Sequence, residues 1–387
     1  MVQCAFLDSF DFSKETSIYI HVPFCLSKCA YCAFYSLSGC RQTEMDAYTD
    51  RLVNEILEVN RHMDGRPYCT AFIGGGNPGC LGQERLSRIA DAVCENGRPA
   101  EFSTEMNPES LNGEFFPLFE SHFTRLSMGV QSLDPKALEF LGRNSDLAST
   151  LRGLELSQKL HVRYGTDLSY DLITCLGSWH DELSDVRKIV NEYPSDHLSV
   201  YALTLEENTP LYRRNPVLPD VDGQYSILKG IWDYLESFGF EHYEVSNFAR
   251  PGKRCAHNCR YWAYEQYIGL GPAAASTAFG KDGKVTRHVF RPSVKDYVDG
   301  YARGELFSGL ESEALTDREA AEEQILMGLR YKGGLDLKRL SERTHKVIDS
   351  RIIAAIEGFE ARDEFLVPDD SGLMTADAAA SLIVDEL

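Results

Sequence analysis

The chain has 387 residues, of which 43% are hydrophobic, and its 20 Phe, 19 Tyr and 3 Trp are ample material for a packed core. Its 59 acidic against 39 basic side chains leave a net charge of −20, which excludes the broad basic face that phosphate backbones need. The length exceeds the roughly 250 residues of a complete α/β barrel and so predicts one large domain with a smaller one attached.

The first predicted strand is Ser17–Val22, and it runs into the loop Cys25-Leu26-Ser27-Lys28-Cys29-Ala30-Tyr31-Cys32. Three thiols at C-x3-C-x2-C are one fewer than a closed zinc site or a fully ligated [4Fe–4S] cube takes. The trio fits a cube with one iron left open to a small chelating ligand. Two other readings stay open on spacing alone: a zinc site completed elsewhere in the chain, and three unconnected core thiols. The eleven cysteines are an odd number, and the first ten residues hold no secretory core. A reducing, cytoplasmic setting is expected, with no disulfide framework. No stretch has the length of a membrane span, so membrane contact is expected to be peripheral at most.

Further strands are predicted over 69–74, 100–106, 124–130, 169–173 and 197–203. Between them, Met45, Tyr48, Leu52, Ile56 and Val59 recur at three- and four-residue steps, as one helix face should. Leu86, Ile89 and Val93 repeat the pattern, as do Val186, Ile189 and Val190. Six such units predict an α/β fold, a partial (β/α)6 barrel open on one side, with its chemistry at the carboxyl ends of the strands. Polar or glycine-rich residues follow those strands: Gly74-Gly75-Gly76-Asn77-Pro78, then Glu105, then Gln131 and Arg143, with Asp171 inside the fifth strand. Glycines there let backbone groups approach a ligand closely, although many such turns serve only chain reversal. A lone carboxylate inside a strand is costly unless it has a task. Arg125, Arg143, Arg152 and Arg163 read, on position alone, as solvated surface arginines.

A seventh helical run places Val221, Tyr225, Leu228, Trp232 and Leu235 on one face, and an extended aromatic segment follows at 240–248. Thr316 with Glu319 reads as a capping box opening a helix through Leu329. The predicted division is a barrel over 14–240, an extension over 241–305 and a small α-rich, winged-helix-like domain over 306–387. The acidity of the chain favours a lid or docking role for that last domain over DNA binding.

Taken in order, these motifs resemble the coproporphyrinogen III dehydrogenase-like group of radical S-adenosylmethionine (SAM) proteins, and within it the heme chaperone branch. The segments 197–211 and 243–252 carry much of the likeness. The resemblance implies that Cys25, Cys29 and Cys32 ligate a [4Fe–4S] cluster and that Tyr19, Gly75, Gly76 and Glu105 contact the cluster-bound SAM. It places Asn77, Gln131, Arg143 and Asp171 along the SAM sites, with Thr204 and Ala275 near further contacts. Cys32 is followed by Ala33 and Phe34, where the dehydrogenase pattern continues as C-x-C. The segment His257-Asn258-Cys259-Arg260-Tyr261-Trp262 matches the H-N-x-x-Y-W of the chaperone branch, implicated in heme binding. His257 is then an expected axial ligand, with a packed structural role, Cys255 or Cys259 as the other readings.

The chain departs from the group at four loops: Asn77 replaces a threonine, Ser145 a histidine, Cys175-Leu176-Gly177-Ser178-Trp179 a proline-containing turn, and Ala275 another histidine. All four lie around the expected adenosyl or substrate pocket and not the cluster. The implied function is a heme chaperone or transferase with a [4Fe–4S] cluster and SAM. The alternatives are an oxygen-independent coproporphyrinogen III oxidase of porphyrin biosynthesis and a radical SAM methyltransferase. Expected partners are heme or porphyrin, a heme-accepting protein, and an electron donor such as flavodoxin or ferredoxin.

Overall fold

The structure, a computed structural model, describes residues 2–348, 353, 356–385 and 387. Its framework is one twelve-stranded sheet. The strands in chain order are β1 (Ser17–Val22), β2 (Thr70–Gly75), β3 (Glu101–Met106), β4 (Arg125–Gln131), β5 (Asp167–Thr174), β6 (His197–Ala202), β7 (Glu241–Glu244), β8 (Asn247–Ala249), β9 (Tyr267–Leu270), β10 (Ala275–Phe279), β11 (Val285–Phe290) and β12 (Leu310–Leu315). Their spatial order is β12-β11-β10-β9-β1-β2-β3-β4-β5-β6-β8-β7. Strands β1 to β6 lie side by side and parallel, as the alternating sequence pattern predicts.

Helices cover the outside of this parallel part. Helix α1 (Gln42–His62) buries Met45, Tyr48, Leu52, Ile56 and Val59, the stripe its periodicity predicts. Helix α2 (Gln83–Val93) buries Leu86, Ile89 and Val93, and helix α3 (Glu182–Glu192) buries Val186, Ile189 and Val190. The strands they cover are apolar on the same side, with Ile18, Ile20, Ile73, Phe102 and Leu126 fully enclosed. Burying a side chain of this size is worth about 1.5–3 kcal/mol, so this layer dominates the stability of the barrel.

Three features differ from the sequence reading. Tyr267–Leu270 forms a seventh parallel strand beside β1, and antiparallel strands extend both edges of the sheet. The run is four residues long before Gly271, too short for periodicity to reveal. Second, helix α4 (Val221–Ser237) buries Trp232 and Leu235, but Val221 is 81% and Tyr225 50% exposed. Its apolar stripe runs past the end of the core. Third, β12 pairs with β11 along its whole length, so the large sheet continues beyond the expected boundary near residue 306.

The separate C-terminal core begins with helix α5 (Asp317–Gly328), which opens on the capping box of Thr316 and Glu319. With α6 (Leu337–Thr344), α7 (Asp370–Val384) and a three-stranded sheet, it encloses Ile325, Leu329, Leu335, Leu340, Leu366 and Ile383. This module is tied to the barrel edge by Lys332, whose backbone N–H donates to the Tyr243 carbonyl and whose ammonium pairs with Asp370.

Candidate cluster and cofactor site

The loop after β1 is held on three sides. Phe24–Cys25 pairs with Leu37–Ser38. The N–H groups of Gly76 and Asn77 donate to the carbonyls of Val22 and Phe24, both at 2.8 Å. Ala30 donates to the Leu141 carbonyl and accepts from the Leu211 N–H. The loop is therefore stitched to the ends of neighbouring strands rather than left free. It forms one wall of a cavity of about 450 Å3 at the carboxyl ends of β1 to β6.

Cys25, Cys29 and Cys32 all line this cavity, and among the described residues they are its only cysteines. No three His, Cys, Asp or Glu side chains among the described residues converge tightly enough for a single metal ion. What the thiols share is a cavity wall. Arg143 reaches them, its Nη1 donating to Cys29 Sγ at 3.4 Å and its Nη2 to the Gly129 carbonyl at 2.7 Å and Asn107 Oδ1 at 3.2 Å. Its Nε is buried without a partner among the described residues. Burial pushes the Cys25 thiol up to about 11 and also raises Cys32. Binding to iron would remove those protons, since a bound cation outweighs such desolvation. Three thiols beside a fixed guanidinium, around a cavity with room for a ligand, fit a cube with one open iron.

Facing the thiols, Gly75 sits at φ +107°, a conformation that favours glycine, and its N–H donates to Glu105 Oε2 at 3.0 Å. A Cβ on Gly75 would stand 2.6 Å from the His21 ring, and one on Gly76 2.8 Å from the Phe24 carbonyl oxygen. Both glycines line the cavity, as do Glu105, Gln131, Asp171 and Thr204. Burial, and then the nearby Asp171 charge, push the Glu105 carboxyl up to about 7. Burial also raises Asp171, against hydrogen bonds from Ser199 and Ser127. Two carboxyls raised by burial on one cavity wall are a common signature of a binding site.

Three expected residues lie elsewhere. Asn77 is buried, with its side chain donating to Ser110 Oγ at 2.7 Å and accepting from Asn107 N at 3.3 Å, so it ties two loops together. Tyr19 donates toward His21 Nδ1 at 3.0 Å and lines a smaller cavity of about 170 Å3 inside the barrel. Ala275 stands on β10, two strands beyond β1, and is not on the cavity wall. Ser145, at the lost histidine, is buried and hydrogen-bonds Glu109, which also accepts from Asn107.

His257 is enclosed in the barrel. Its Nδ1 is 2.8 Å from Thr70 Oγ1, its Nε2 is 2.7 Å from the Tyr261 hydroxyl, and its ring stacks on Phe72. Burial drives its pKa down to about 3, so it is neutral. It lines the 170 Å3 cavity together with Tyr19, Arg125 and Tyr261. Arg125, expected to be solvated, is buried here and donates to the Lys253 carbonyl. Sequence reasoning also missed Asn107 and Tyr201 on the main cavity. Their places just after β3 and near the end of β6 were the available signal.

A partly closed α/β barrel with three thiols on the loop after its first strand defines the radical SAM class. The model of the Radical SAM superfamily matches residues 19–188. The chain is 34% identical over 289 residues to the heme chaperone HemW of Escherichia coli (strain K12), covering 73% of this chain and 76% of that protein. It is 32% identical over 388 residues to the heme chaperone HemW of Mycobacterium tuberculosis (strain ATCC 25618 / H37Rv), covering 95% and 94%. The chain belongs to the HemW family of the radical SAM superfamily. The solved coproporphyrinogen III oxidase (HemN) from Escherichia coli shares its fold, with a TM-score of 0.80 at 21% identity over 99% of this chain and 93% of that one.

Proposed function

We propose that the chain is a heme chaperone that carries a [4Fe–4S] cluster and SAM and passes heme to an acceptor protein. The observation that carries this reading is the end of the cysteine loop. Phe34, 69% exposed at the rim of the cavity, stands where the decarboxylase pattern has a further thiol, in a chain whose relatives are named heme chaperones. Cys25, Cys29 and Cys32 would hold the cube, which supplies an open iron and one-electron reduction when bound. The backbone at Gly75 and Gly76 would border the methionyl end of SAM, and Glu105 would accept from its ribose hydroxyls. Gln131, Arg143, Asp171 and Thr204 complete the polar wall.

His257 is the proposed axial ligand of the heme iron. Ligation requires release of one of its two hydrogen bonds, and the Tyr261 hydroxyl is the partner that a side-chain rotation removes. A flavodoxin or ferredoxin as electron donor and a cytoplasmic setting complete the reading. Among the described residues no helix is long and apolar enough to cross a membrane.

Anaerobic reconstitution followed by separate assays of heme uptake, coproporphyrinogen loss and 5′-deoxyadenosine formation tests the reading. Heme uptake without coproporphyrinogen loss is expected. Protoporphyrinogen formation clearly above a Cys29→Ala control would replace this reading with the decarboxylase.

A further inference from the structure

A porphyrin is too large for the sites described so far. The 170 Å3 cavity around His257 cannot enclose a tetrapyrrole, and the 450 Å3 cavity must take the cluster and SAM. A third cavity, an open cleft of about 770 Å3, lies between α4, the barrel edge and the C-terminal module. That volume falls in the range of about 300–1,000 Å3 typical of sites for sizeable organic ligands.

Its walls come from three separate stretches of chain. Helix α4 supplies Val221, Tyr225, Leu228 and Trp232, the stripe that runs past the core. The helix over Ala256–Trp262 supplies Asn258, Tyr261 and Trp262. Its His257 lines the barrel cavity instead, its Nε2 capped by the hydroxyl of Tyr261, which lines both spaces, so His257 would reach a heme seated in the cleft only once Tyr261 moves aside. The C-terminal module supplies Met327, Leu373 and Met374. Thioether side chains adapt to flat aromatic surfaces. Trp232 is buried at this wall with its indole Nε1 lacking a partner among the described residues.

The lining is mainly apolar and holds one cationic side chain among the described residues. Arg330 stands on the wall, paired with Asp377, where a carboxylate substituent would find a guanidinium. The other lining carboxyl, Glu244, is pushed up to about 7 by burial, so it is only partly charged near neutrality. Tyr201 lines the cleft, the barrel cavity and the SAM cavity alike, a single side chain standing between all three.

We propose that this cleft is the seat of the porphyrin, with Trp262 on the barrel wall, Tyr225 and Leu228 on α4, and Met327 and Met374 facing them from the C-terminal module. The inference rests on the heme chaperone reading and adds the place where heme is held. It makes the C-terminal module part of the binding site.

The test is a titration of the cluster-reconstituted chain with ferric heme, read by Soret difference spectra. Tyr225→Glu and Met374→Glu put a charge on opposite walls, and each should weaken binding at least tenfold. Tyr225 is half exposed, so its substitution leaves the core intact even if Met374→Glu loosens the module. Val162→Glu, at a side chain 84% exposed on the helix Leu147–Tyr164, should bind heme as the parent does. Cluster iron and SAM binding should be unchanged in Tyr225→Glu and Val162→Glu. Parental affinity in both cleft variants would overturn the seat while leaving the chaperone reading standing. A parent chain that binds no heme would overturn the chaperone reading, and this inference with it.

Discussion

The main cavity and the side cleft are built from different parts of the fold. The cavity is lined by residues that follow consecutive parallel strands, and its cysteine loop is stitched to the neighbouring strand ends by backbone hydrogen bonds. The cleft is no more apolar than the cavity, but it is assembled from α4, the edge of the barrel and a module with its own core. The first arrangement suits a small polar cofactor that must be held in fixed geometry. The second suits a large flat ligand that has to enter and leave. A carrier of heme with a radical SAM centre needs both, and Tyr201 stands where they meet.

The sharpest break in the comparison is loss of the cavity alone. Cys25→Ala, Cys29→Ala and Cys32→Ala should each reduce bound iron from about four per chain to well below one, measured anaerobically after reconstitution. Heme binding in the cleft should survive these substitutions. Loss of heme binding along with iron would show that the two regions are one site. A milder lesion of the same cavity is Gly76→Ala, whose Cβ would press on the Phe24 carbonyl. Overpacking of this kind costs about 1–3 kcal/mol, so SAM affinity by equilibrium dialysis should fall at least several-fold. Unchanged SAM binding would mean that this turn has room to yield.

The cavity was far more legible in the sequence than the cleft. Strand-end residues such as Glu105, Gln131 and Asp171 announce a site because a parallel barrel puts successive strand ends together, so position along the chain predicts position in space. The spacing of the three cysteines did the rest. Nothing local says that Tyr225, Trp262 and Met374 line one cleft, because that depends on how the C-terminal module docks. The periodicity of α4 was read correctly as one apolar face, but periodicity cannot tell a core from a cleft. Asn77 and Tyr19 show the converse. The cavity lining does not include them, for one binds Ser110 and the other faces the barrel cavity. His257 likewise follows its motif, yet its two hydrogen bonds are visible only in three dimensions.

On the cleft side, Glu244 gives the pH dependence. The fold favours its protonated form, so its contribution is intact below the ordinary carboxyl value of 4.5 and is lost as pH rises toward about 7. Glu244→Gln should flatten that loss and leave the variant more stable than the parent at pH 8, by on the order of 2 kcal/mol. Denaturant midpoints at pH 5 and pH 8 check it. A parent whose stability does not fall over that interval would show the carboxyl is not held so high. The smallest expected effect is at Tyr261. If His257 ligates heme, Tyr261→Phe frees its Nε2 and should strengthen heme binding a few-fold without altering the Soret position. A shifted Soret band would instead mark the tyrosine as a ligand.

The most direct test of the account is the heme stoichiometry of the anaerobically reconstituted chain. The account predicts saturation at one heme per chain, with a distinct Soret band that survives gel filtration and with the cluster still bound. Absence of a saturable Soret signal from a chain that holds its full cluster would contradict it.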